Sequence, residues 1–204
     1  MLAPVSTPQS TPPQEFIDAL LSLRRVEQKG GIEIEEVPAP RKIAPYAAAL
    51  RAYTLAEEDE LPIATGRFVI LYDPASQPGW HSNFRIIVHV RSQMDPELGN
   101  DPLIGEVVWS WAHDALDEAG ANAKAMNGTV TRELSETFGG LELSGSDVEI
   151  EMRASWSPGT SDLGPHMEAW LRLIERTAGT YIDDDLEDTE DLSFNPVPHV
   201  KTNG

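Results

Sequence analysis

The chain contains no cysteine. That absence excludes disulfides, thiol nucleophiles and thiolate metal sites, and it fits a reducing compartment such as the cytoplasm. No apolar run approaches the roughly 20 residues of a membrane-spanning helix, so no membrane partner is expected. The opening MLAPVSTPQSTPPQ lacks the basic and apolar regions of a signal peptide. Basic residues are scarce: 15 Lys and Arg stand against 34 Asp and Glu, a formal net charge of −19. Such a molecule repels a phosphate backbone, so no nucleic-acid partner is expected. GxGxxG, the P-loop, HExxH and GxSxG are all missing. Nothing in the residues points to a metal or a cofactor, and none is expected.

What remains is a chain of 204 residues, enough for one domain with tails. Residues 1–13 are rich in Pro, Ser and Thr and are expected to be disordered. Residues 14–179 read as a single α+β domain. Beyond them, residues 180–204 open with DDDLEDTED from Asp183, followed by Leu192, Phe194, Pro196 and Pro198. An acidic run with scattered apolar residues is a solubilising tail or a docking peptide.

The clearest helix is the middle one, Asp101 to Ala119. Asp101 suits the cap, Pro102 the first position, and Gly120 the stop. Ile104, Val108, Trp111 and Ala115 form one apolar stripe, with Glu106, Ser110, His113, Asp114 and Asp117 opposite. Trp109 and Leu116 widen that stripe beside His113. This edge packs either within the chain or on a second surface.

Before it, a helix is expected from Thr11 and Gln14, a capping-box pair, to about Gln28. Ile32–Val37 alternates apolar and acidic, as a strand does. Tyr46–Leu55 is rich in alanine and fits helix or strand; its place before other strands favours strand. Gly66–Tyr72 and Phe84–Arg91 are strands, each with an apolar face. After the middle helix, Asn127-Gly128 reads as a turn, with strands at Thr129–Phe138 and Val148–Trp156. Asp162 opens a last helix that Gly179 stops. The order αββββαββα predicts a mainly antiparallel sheet of five or six strands with three helices packed on it. It is similar to the order in bacterial secretion-chaperone-like folds, which are dimeric protein-binding modules.

Several phrases recur together as a set: EEVPAP (35–40), APYAAAL (44–50), ATGRFVILYDP (64–74), DPLIGEVVWSW (101–111), NGTVTR (127–132), RASWSP (153–158) and DLGPHMEAW (162–170). With them the chain resembles an actinobacterial family known only as domain of unknown function 3000, from about Glu15 to Gly179. The resemblance implies a bacterial cytoplasmic protein. It implies no activity, cofactor or catalytic residue.

Three groups of residues are candidates for function. Arg67, Arg85, His89 and Arg91 share the outer parity of their strands, as does Arg51, and could hold a phosphate or carboxylate by bidentate contacts. They could equally pair with Glu149 and Glu151 of a neighbouring strand. Trp109, His113 and Leu116 could face a protein partner or a second subunit. Trp80 and His81, in a Pro/Gly loop, could gate a pocket or cover one end of the core. Ser110, His113 and Asp114 are neighbours on one helix, a poor geometry for a catalytic triad. His166, in the first turn of the last helix, is expected to be solvated. The residues favour a non-enzymatic module that binds a protein partner or forms a homodimer, with an anion-binding protein as the alternative.

Overall fold

A computed structural model of the chain describes residues 11–27, 31–56, 60–136 and 146–179. The segments 1–10 and 180–204, with the expectations placed on them, lie outside the described residues. The elements are α1 (Gln14–Leu23), β1 (Ile32–Glu36), β2 (Tyr46–Thr54), β3 (Ala64–Tyr72), β4 (Phe84–Met94), α2 (Pro96–Gly99), α3 (Ile104–Glu118), β5 (Ala123–Glu136), β6 (Ser146–Pro158) and α4 (Gly164–Thr177). This is the expected α+β order with one addition, the single turn α2. Its start is fixed by Asp95, whose carboxylate accepts from the Glu97 N–H.

All six strands join one antiparallel sheet in the order β1-β2-β3-β4-β6-β5. Side chains alternate between its faces, so even-numbered residues of β3, β4 and β6 point to the helices. Phe68, Ile70, Phe84, Ile86, Val88, Ile150, Met152 and Trp156 are buried there. Packing also decides the ambiguous stretch 46–54. It is paired on both sides, to β1 and β3. Its Ala52 stands opposite Gly66, and a side-chain carbon on Gly66 would lie 2.9 Å from Trp170 of α4. Small residues here leave room for the fully buried indole.

Four expectations change. The first helix ends at Leu23 instead of near Gln28; the N–H groups of Arg24, Arg25 and Val26 turn back to carbonyls three residues earlier. No Thr11 side chain caps it: the cap position is Pro13. Regular α3 starts at Ile104, because Asp101 closes a turn first, accepting from the Leu103 N–H at 2.8 Å. Finally, Asn127-Gly128 is no turn but lies inside β5. The distortion sits just before it, in a bulge between Lys124 and Asn127 where Ala125 takes φ +50°.

The connection after β4 positions the surface that matters most below. The chain leaves β4, crosses the helical face through α2 and α3, and descends as β5. β6 then fills the gap between β4 and β5, which leaves β5 outermost.

Candidate functional site

Two surfaces carry the candidate residues. The first is the sheet face away from the helices. There the register sets Arg51 opposite Arg67, Arg67 opposite His89, and His89 opposite Arg153, a lateral row across four strands. Like charges directly opposite repel, so the row needs compensation. Glu35 lies 3.6 Å from Arg51, and Arg91 meets Glu149 at 2.6 Å. Glu151 holds Arg153 and also approaches His89 at 3.2 Å. That last contact is off the line of a hydrogen bond, since His89 Nε2 makes none among the described residues. Arg67 differs. Its guanidinium donates to the Pro38 carbonyl at 2.6 Å and has no carboxylate beside it among the described residues. Arg67, His89 and Arg51 line a shallow groove of about 510 Å³ with Val37, Pro38, Thr65 and Gly66.

The row holds Arg51, Arg67 and His89 of the expected face, omits Arg85 and Arg91, and adds Arg153. Arg91 is engaged by Glu149 at the next level of the ladder. Arg85 is buried and bonds only neutral oxygens: the Ala125 carbonyl, both oxygens of Ser155, and Ser157 Oγ. Burial pushes its pKa down. Its contacts pin the bulged start of β5 to β6. Arg153 joins instead, and cross-strand register, which the sequence does not state, is what brings it in. Trp80 packs on Ala49, Val69 and Leu71, a small second core on this same face. It is a cover over that core. His81 beside it is exposed, with φ +57°.

The second surface is the outer edge of β5 with the flank of α3 above it. No strand pairs with β5 on its far side among the described residues. A 14-residue edge therefore presents one row of unpaired N–H and C=O groups. α3 runs along it in the opposite sense: Gly105 sits over Val130, and Trp109 over Gly128. This contact explains Gly128. A side-chain carbon there would fall 2.3 Å from the Arg153 carbonyl oxygen and 2.9 Å from the Trp109 ring. The Trp109 ring meets His113 edge-on with centroids 5.3 Å apart. Leu116 is buried inside the chain, Trp109 half-buried, and His113 exposed. At the other end of β5, Arg132 donates to the carbonyls of Gly99 and Asp101, which ties α2 and the turn before α3 to the strand. Around this tie stand three exposed leucines, Leu98 (45%), Leu103 (57%) and Leu134 (49%).

No catalytic line is assembled at either surface. Ser110 Oγ is directed to Asp114, at 3.5 Å, and not to His113. No group of three His, Cys, Asp or Glu side chains that could hold a metal occurs among the described residues. His166, expected in solvent, is buried. Its Nδ1 accepts the Trp156 indole N–H at 3.0 Å, and burial pushes its pKa down to about 4.

These features define a class first: an α+β domain with helices on one face of a six-stranded antiparallel sheet whose outermost strand, β5, has no neighbour on its far side among the described residues. The chain belongs to the family described as "Protein of unknown function (DUF3000)", whose model matches residues 12–182. No curated protein and no solved structure matches it.

Proposed function

We propose that the protein is a non-enzymatic cytoplasmic interaction module that docks a protein along the outer edge of β5. The actinobacterial resemblance and the cysteine-free composition fit that setting. The observation that carries the reading is the coincidence of two features at one place. A long strand whose outer edge has no neighbour among the described residues lies beside Leu98, Leu103, Leu134 and half-buried Trp109. Strand addition draws affinity from main-chain hydrogen bonds and specificity from neighbouring apolar pockets. The test compares proteins captured by the tagged wild type with those captured by a Leu103→Lys/Leu134→Lys variant. Both leucines are exposed, so the fold tolerates the change. A stoichiometric protein recovered by the wild type and lost by the variant supports β5 docking; equal recovery by both sinks it.

A second reading rests on Arg67, the member of the row with no carboxylate beside it among the described residues. A phosphate or carboxylate could take its free donors in the groove beside His89. Calorimetric titration with inorganic phosphate and with citrate tests this, and heat that survives Arg67→Ala would count against it.

A further inference from the structure

We propose that the occupant of the β5 edge is a second copy of this chain, paired β5 to β5 about a two-fold axis through Val130. The proposal rests on the reading that β5 is the docking element, and it names the partner.

Symmetry restricts the choice. A two-fold axis perpendicular to a continuous sheet keeps each side chain on its own face, so residues of like parity must meet. An axis at Arg132 or Glu133 would set that charge against its own copy, which is destabilising. An axis at Val130 gives no such conflict. On the helical face Val130 meets its copy, Gly128 meets Arg132, and half-buried Met126 meets the exposed Leu134. On the outer face Thr129 meets Thr131, and Asn127 meets Glu133 with a donor against an acceptor. Thr–Thr and amide–carboxylate pairs are favourable cross-strand partners.

The helix layer supplies an independent observation. Gly105 is the second residue of α3. Among the described residues, a side-chain carbon there would meet only Val130 Cγ1, at 4.0 Å. Its neighbour Gly128 is different, since the chain itself fills that space. Because Gly105 lies over Val130, the proposed axis brings Gly105 of one copy near Gly105 of the other. A missing side chain there lets the two α3 helices approach. The half-buried Trp109 and exposed Leu103 then flank the contact.

The absence of native cysteine makes the test direct, because any introduced thiol is the sole one. Thr129→Cys and Thr131→Cys are prepared as separate proteins and oxidised alone and as an equimolar mixture. The expected result is a cross-linked dimer chiefly in the mixture, where residue 129 of one copy faces residue 131 of the other. Light scattering of the unmodified protein should show twice the 22.4 kDa chain mass. Gly105→Gln, whose first side-chain carbon meets only Val130 Cγ1 at 4.0 Å among the described residues, should weaken self-association by about tenfold or more. A chain that stays monomeric up to its solubility limit overturns the proposal. So does a dimer that cross-links equally in all samples, or one indifferent to Gly105→Gln. If the chain is monomeric while Leu103→Lys/Leu134→Lys still loses a captured protein, the second copy fails and β5 docking stands. If capture is unaffected as well, both fall.

Discussion

His166 gives the clearest consequence at the scale of one residue. It is 2% exposed and its pKa is pushed down from 6.5 to about 4 by burial, against a smaller opposing pull from Asp162. In the unfolded chain the ring binds a proton at higher pH than in the fold. Stability from this site is therefore complete above about pH 6.5 and is lost as pH falls toward the folded value. The loss amounts to roughly 3 kcal/mol at full titration. Urea unfolding at pH 7.5 and at successive steps to pH 4 measures it. His166→Asn keeps an acceptor at the Nδ1 position for Trp156 but cannot titrate, so its profile should flatten across that window; an unchanged profile would place the pH dependence elsewhere. Gly128 is the second residue of this kind. With the Arg153 carbonyl and the Trp109 ring already in its space, Gly128→Ala should destabilise by roughly 1–3 kcal/mol. Neither role was legible in the sequence. A histidine near a helix start and an Asn-Gly pair each carry a local reading, solvated terminus and turn. Both readings were overridden by contacts that come from distant strands.

At the scale of elements, local patterns were informative wherever one face is apolar. Phe68, Ile70 and Tyr72 marked the inner face of β3, and Phe84 to Val90 that of β4, because period-two burial writes itself into the residues. Register does not. The row Arg51, Arg67, His89, Arg153 depends on the offset of each strand against the next, so Arg153 was not among the expected residues, and Arg91 stands one level along the ladder, engaged by Glu149. Helix pairing is another case. Glu118 at the end of α3 accepts from Arg176 at 2.6 Å and Arg172 at 3.2 Å on α4. Burial alone would raise the Glu118 pKa, yet these two guanidinium groups hold it below the usual value. Removing that charge loosens the clasp between the helices. The site is partly exposed and screened, so Glu118→Gln should cost about 1 kcal/mol or less in thermal or urea unfolding. A loss several times larger would mean that the clasp, not the apolar contact beneath it, holds α3 to α4.

For the whole molecule, net charge sets the sign of a last prediction. Each chain carries a formal −19, so two copies repel one another at long range whatever their contact surfaces do. The proposed β5 pairing offsets this with main-chain hydrogen bonds, threonines and apolar side chains, terms that salt screens little. Screening acts mainly on the repulsion, whose range is about 30 Å at 0.01 M salt and about 10 Å at 0.1 M. Self-association through β5 should therefore tighten as salt is raised over that interval. Sedimentation velocity across a concentration series at both ionic strengths reads this directly. Dimerisation also stabilises the fold by mass action, so the unfolding temperature should rise with protein concentration, and more steeply at the higher salt. A basic partner on the acidic surface would show the reverse, weakening as salt rises, because its attraction is the term being screened. Self-association that weakens with salt would thus point away from the β5 pairing and toward contacts made by opposite charges. One such candidate is the outer face, where Arg67 of one copy could meet carboxylates of another.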